Sequence, residues 1–201
     1  MSGPWQPGSS VSLETPRLQI RTLTEADAEV MRDWLAEPAF RENLWLPDLD
    51  LSMYFVWMAR GADQRTRFAF ALAQAEQLVG FAKLAVDAER RTQIPTVALR
   101  DATVRDRGLG TEATWALLTF GFEHLPVDRA EFRLYAENVR LRQRLERLGC
   151  REVRAYDEQV PGRASRRVHS FALERGDLPR VARALESRGG RAPGERAGRD
   201  G

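Results

Sequence analysis

Polar and apolar residues alternate through RLQIRTLT (17–24), the period of a strand with one buried face. Its last residue opens TEAD, Thr24 to Asp27, a capping-box pattern that predicts a helix running to about Leu35. AEPAFRENLW (36–45) reads as a short helix and DLSMYFVWMARG (50–61) as a longer one stopped by Gly61. RFAFALAQ (67–74) and QLVGFAKLAVD (77–87) flank AEQ as the arms of an antiparallel hairpin, and TVALRDATV (96–104) continues the meander. Helical spacing returns from Leu109 to about Glu123, carried by Ala113, Leu117 and Phe120. A strand, AEFRLYAEN (130–138), and a helix from Val139 to Leu148 follow, the helix ending at Gly149. REVRAYDEQV and RRVHSFALE then make a second hairpin around PGRAS, and DLPRVARALES closes with a helix. The expected class is α+β, built on one mixed and mainly antiparallel sheet.

Composition narrows the picture. A chain of 201 residues suits one domain, and 43% hydrophobic with 30% charged residues is ordinary for a globular protein. Residues 1–12 and 188–201 are poor in large apolar side chains and are expected to be a flexible leader and a disordered tail around a domain spanning 13–187. No apolar run is long enough to span a membrane, and the N-terminus has no secretory pattern, so a cytoplasmic address without a membrane partner is expected. The net charge is +2, with basic residues scattered among 29 acidic ones, which argues against nucleic acid as a partner. Lysine occurs once, at Lys83, and cysteine once, at Cys150; no Cys/His grouping has metal-ligand spacing, so no metal is expected.

VRDRGLGTEATW (104–115) places two glycines and several charges ahead of an apolar helix. A helix N-terminus offers unpaired N–H groups and partial positive charge, and glycine lets an anion approach that backbone. Gly108 and Gly110 fit this task, with Arg105 and Arg107 as extra donors; a plain turn needing φ > 0 explains the glycines equally well. GLGTEA also matches a dinucleotide fingerprint, but it comes past mid-chain, after hairpin strands, with only one strand-helix unit beyond it. The nicotinamide reading is therefore rejected.

Arg105-x-x-Gly108-x-Gly110 is similar to the R/Q-x-x-G-x-G/A signature of the GNAT superfamily of N-acetyltransferases, and YAENVRLRQRLERLGC resembles the strand, Asn and helix that follow it there. ETPRLQIRTLTEADAEVMRDWL resembles the opening of the branch that acetylates ribosomal-protein N-termini. The likeness runs from about Leu13 to Leu178. It implies a single domain with a splayed sheet and helices on both faces, with acetyl-CoA in the gap as cosubstrate. It further implies that Val104, Arg105, Arg107, Gly108, Leu109, Gly110 and Thr111 line the diphosphate, chiefly through backbone N–H groups. The ALRDATV strand would pair with the pantetheine amides, and Asn138, which also fits as an N-cap of the next helix, would hydrogen-bond the carrier.

Two positions depart from that pattern. Leu145 stands where family members commonly have a tyrosine acid, inside a Leu141, Leu145, Leu148 stripe that reads as core. Pro95 stands where many carry a glutamate. Catalytic residues are therefore open: Glu42, Asp48 and Asp50 lie in the acceptor-side segment EPAFRENLWLPDLD, where a solvated surface carboxylate is the favoured reading of each, and His169 alternates with Phe171 and Leu173 on a strand face, where core or interface use is favoured over lining the acceptor cleft. His124, in the last turn of its helix, reads as structural, and Cys150, in place of the family phenylalanine, as a small buried hydrophobe. The expected activity is acetyl transfer to a primary amine of a peptide, protein or small molecule by direct attack. Its alternatives are a non-catalytic acyl-CoA sensor and a tRNA-dependent aminoacyl transferase. A homodimer is compatible with the sequence.

Overall fold

The computed structural model describes residues 6–37, 40, 53–100, 104, 108–159 and 164–186. The chain runs through β1 (Ser12–Glu14), β2 (Gln19–Thr22), α1 (Glu25–Met31), α2 (Tyr54–Gly61), β3 (Arg67–Gln74), β4 (Gln77–Asp87) and β5 (Thr92–Leu99). It continues through α3 (Leu109–His124), β6 (Arg129–Tyr135), α4 (Val139–Arg147), β7 (Arg151–Glu158), β8 (Arg166–Glu174) and α5 (Leu178–Glu186). Among the described residues the strands form one eight-stranded sheet in the order β1-β2-β3-β4-β5-β6-β8-β7. Every neighbouring pair is antiparallel except β5 and β6.

The α+β class, the meander and the second hairpin stand as read from sequence. Three boundaries do not. The last strand of the meander spans Thr92–Leu99, not 96–104, so it starts earlier, runs through Pro95 and stops before the glycine loop. A short strand, β1, precedes RLQIRTLT, and Val11 is 2% exposed, so packed structure begins ahead of Leu13. The expected helix to Leu35 changes to a 3₁₀ turn at Arg32–Ala36. Most of AEPAFRENLW lies outside the described residues.

Each face of the sheet has its own core. On one face α3, α4 and α5 pack Leu109, Leu117, Phe120, Leu145 and Val181 against Phe68, Phe70, Phe132 and Phe171. On the other, α1 and α2 pack Met31, Trp34, Phe55 and Val56 against Ala69, Ala71 and Phe81, with Phe55 and Phe81 edge to face at 5.2 Å. Period-2 alternation along β3 supplies both cores at once, since Phe68 and Phe70 point one way and Ala69 and Ala71 the other.

The capping box forms as read: the Thr24 hydroxyl accepts from the Asp27 amide at 3.2 Å, and the Thr24 amide donates to Asp27 Oδ2 at 2.9 Å. Asp27 also takes both ends of the Arg21 guanidinium, at 2.6 and 2.7 Å, which ties β2 to α1. Burial pushes the Asp27 carboxyl up, but Arg21 and Thr24 together hold it below the usual carboxylate range. A depressed carboxyl stabilises the fold above its unfolded pKa of about 3.9, and that contribution is lost as pH falls through the folded value. Asp27→Asn is expected to cost about 2 kcal/mol at pH 7. The difference from wild type in urea denaturation should shrink at pH 3; a gap of constant size would contradict this account.

Candidate active site

The central feature is a gap between β5 and β6. They pair only at Thr92 with Arg129 and Gln93 with Ala130. Beyond that point β5 stays paired with β4 up to Leu99, and β6 with β8 up to Tyr135, so each keeps one ladder and leaves an edge facing its neighbour. The closed end is pinned by Gln93, which is fully buried and donates from Nε2 to the Leu118 carbonyl at 3.3 Å. A Cβ on Gly121 would stand 2.0 Å from Gln93 Oε1, so α3 lies this close to the apex only because residue 121 has no side chain.

The start of α3 faces the open end. Gly108 is its N-cap at φ 81°, a left-handed conformation that explains glycine there on backbone grounds. The amides of Thr111 and Glu112 both donate to the Gly108 carbonyl at 3.0 Å. Among the described residues the amides of Leu109 and Gly110 have no backbone acceptor, as expected for a first turn, and both residues are buried. Among the described residues no side chain caps this end.

Two arginines that sequence reading did not single out close over these amides. A Cβ on Gly110 would come within 2.6 Å of an Arg144 terminal nitrogen, so the missing side chain leaves room for a guanidinium reaching across from α4. Among the described residues no carboxylate pairs with Arg144, and burial, then the charge of Arg147, pushes its pKa down. On the other flank Arg17 donates from Nε to Glu112 Oε2 at 2.7 Å, and Glu112 Oε1 takes the Thr15 hydroxyl at 2.5 Å. Arg17 NH2 lies 3.2 Å from where a Cβ on Gly108 would be. Nothing in the local sequence distinguishes Arg144 from its neighbours, because it flanks the leucine stripe of an arginine-rich helix.

The other sequence-derived residues fall as follows. Arg105, Arg107, Glu42, Asp48 and Asp50 lie outside the described residues. Val104 is half-buried against the α3-side core, and Thr111 is half-buried in the first turn of α3. Asn138 is exposed and caps α4, its Oδ1 accepting from the Leu141 amide at 3.1 Å, which leaves its NH₂ group as a donor. Leu145 is 1% exposed and Leu148 6%, so the leucine stripe is core. His169 lies on the face under α4, in register with Leu134, with Nδ1 at 2.7 Å from Glu152 Oε1. That contact holds the Glu152 carboxyl below its usual range, and Arg142 donates to the same carboxylate at 2.9 Å. His169 therefore sits one strand behind the β6 wall, in a polar chain with Glu152 and Arg142 and not at the gap. His124 is the last residue of α3, its ring 5.3 Å from that of Phe120.

A sheet that parts between two parallel strands, with a glycine-opened helix N-terminus at the mouth, is the splayed-sheet arrangement that the sequence resemblance implies. The chain belongs to the GNAT acetyltransferase family, whose acetyltransferase (GNAT) domain model matches residues 17–151. Family membership indicates transfer of an acyl group from acetyl-CoA to an amine. Among solved structures it is similar to a GCN5-related N-acetyltransferase from Brucella melitensis, with 18% identity, TM-score 0.74, and coverage of 91% of this chain and 88% of that one. RimJ of Mycobacterium smegmatis, solved with CoA-disulfide, aligns with 19% identity and TM-score 0.72 over 92% of this chain and 98% of its own. A chimera of spermidine N-acetyltransferase SpeG from Vibrio cholerae and hSSAT aligns with 16% identity and TM-score 0.69 over 81% and 98%. At these identities the likeness is one of fold. Comparison with curated proteins returns no sequence match. Among the described residues no helix is long and apolar enough to cross a membrane.

Cys150 follows α4 at the edge of this core, 5% exposed, and burial pushes its thiol up to about 12. Relative to a free thiol near 8.5, the thiolate fraction at pH 8 falls by about three orders of magnitude. Iodoacetamide at pH 8 should therefore leave the native protein unmodified while labelling it readily in denaturant. Rapid native labelling, followed by mass spectrometry, would show that the thiol is not sequestered.

Proposed function

We propose that the protein acetylates a primary amine, with an α-amine favoured over a lysine side chain, by direct attack on acetyl-CoA held in the gap between β5 and β6. The observation that carries this reading is the pair of amides at Leu109 and Gly110, lying beneath an Arg144 guanidinium that has no carboxylate partner among the described residues. A partly buried cation beside the positive end of a helix is unfavourable in isolation. A diphosphate at the same place would take the helix amides and the guanidinium together. The chain thus fits the carrier that its family uses. Val104, Gly108 and Thr111 line the same mouth, Arg105 and Arg107 belong to it by motif, and the Asn138 NH₂ is a further donor.

The acyl carrier supplies an activated thioester; the chain supplies position and dipoles. The unpaired β5 edge, from Ile94 to Leu99, offers backbone groups to hold the acyl arm and polarise its carbonyl. Leu145 lies in the core and can donate no proton. A general acid is worth roughly 10² to 10⁴ in rate, and a thiol of pKa near ~8.5 leaves without one. This favours an acceptor already neutral near pH 7.5: an α-amine, with pKa about 7.7–8.0, is substantially so, while a lysine near ~10.4 is only about 0.1% neutral.

Calorimetry with CoA and acetyl-CoA, paired with thiol release over a panel of amines, tests the reading. Wild type should bind both carriers and release thiol. Arg144→Met should lower CoA affinity about tenfold or more, the loss of a charge-assisted contact. The same change should raise the melting temperature of the free protein, since it removes a half-buried cation that has no carboxylate partner among the described residues. An arginine serving only the fold would lower that temperature. No heat with either carrier would overturn the assignment, and binding without turnover on any amine would point to a sensor.

A further inference from the structure

Of the 31 cationic side chains in the sequence, all but Lys83 are arginines. Lys83 lies on β4, in register with Ala69 of β3 and Thr96 of β5. Its side chain follows that of Phe81 onto the α1/α2 face, opposite α3 and Arg144. It is half-buried, and its Nζ lies 3.4 Å from the Tyr54 hydroxyl of α2. Among the described residues no carboxylate lies within salt-bridge distance of it. Other partly buried cations on the sheet do have such partners: Arg21 has Asp27, and Arg129 has Glu131 and Glu174.

Position gives an ammonium with no carboxylate partner among the described residues a meaning. Thr96 is exposed and lies three residues past Gln93, where β5 has already parted from β6. Lys83 therefore stands one strand behind the cleft wall, on the face away from the amides proposed to hold the diphosphate. With the carrier's anionic end drawn to the α3 face, the α1/α2 face is the side left for an acceptor. An ammonium there attracts an anion and disfavours the protonated form of an approaching amine. Lysine also suits the place better than arginine, since a compact ammonium with three rotatable donors is satisfied by fewer partners than a rigid guanidinium fork with five.

We propose that Lys83, steadied by Tyr54, receives an anionic group of the acceptor, so that the amine acetylated belongs to a molecule carrying a carboxylate or phosphate close to its nucleophilic nitrogen. The inference rests on the acyl-transfer reading for the identity of the bound molecule, but the anion subsite can be read without turnover. Because the chain holds one lysine, protein labelled with [13Cε]lysine gives one side-chain lysine resonance. With CoA present at saturation, titration with α-amino acids or with O-phosphoethanolamine should move that resonance, while the amino-acid amides and ethanolamine should leave it in place. A response to the first points to a carboxylate, and a response to the second to a phosphate.

In the thiol-release assay the charged member of each pair should be preferred at least tenfold, through KM. Lys83→Met should collapse that preference, and Lys83→Arg should restore part of it, with melting temperatures confirming that both variants fold. A resonance that none of these ligands moves, or a Lys83→Met defect equal for charged and neutral acceptors, would overturn the proposal. The two readings fail separately: a resonance that moves in protein releasing no thiol keeps the anion subsite and removes the reaction, whereas thiol release indifferent to acceptor charge does the reverse.

Discussion

The two-residue pairing of β5 with β6 is the constraint on which the rest of the molecule depends. Both strands satisfy their outer ladders, β5 against β4 and β6 against β8, so the fold can leave their inner edges unpaired without exposing either strand on both sides. A full ladder at this place would close the sheet and remove the cleft. The apex is held by contacts specific to it: Gln93 reaches the Leu118 carbonyl, and Gly121 gives α3 the room to lie against it. Just ahead of the two strands, the Asp128 amide donates to the Arg91 carbonyl at 2.7 Å. The V is thus stiff where it is closed and polar where it is open.

The mouth of the cleft trades stability for binding capacity. Amides without acceptors, an N-terminus with no side-chain cap and a guanidinium without a carboxylate each cost free energy in the free protein, and among the described residues they occur together here. Elsewhere on the described chain the same groups are matched: α1 begins with a reciprocal capping box, and Asp27 absorbs Arg21. Such local mismatch inside a consistent fold is where binding function is expected to lie.

Much of this was legible from sequence because the signals are local. The capping box at Thr24, the stop at Gly149 with φ 77°, and the leucine stripe of α4 each depend on residues within two turns of one another. The β3–β4 hairpin was found by alternation alone, although its turn residues Ala75 and Glu76 take positive φ without a glycine. The start of β5 was misplaced for a physical reason. Proline is kept from central strands because it lacks a donor, and β5 is fifth of eight. Past Gln93, however, β5 is an edge strand on its β6 side, so Pro95 lies in a stretch with an open edge. Arg144 and Arg17 were invisible because their meaning is tertiary: each is one arginine among many until the fold sets it over a glycine.

Cations therefore carry different information according to where they sit. An exposed arginine needs no partner, because water and salt screen it. A half-buried one without a carboxylate does, and among the described residues the fold holds two such groups on opposite sides of one cleft, Arg144 toward α3 and Lys83 toward α1 and α2. On the proposed reading this opposition separates an anionic carrier from an anionic acceptor, each drawn to its own face, with the edge of β5 between them as the place where thioester and nitrogen would meet. In a chain of net charge +2 the sum of charges says nothing of this; the unmatched charges at depth do.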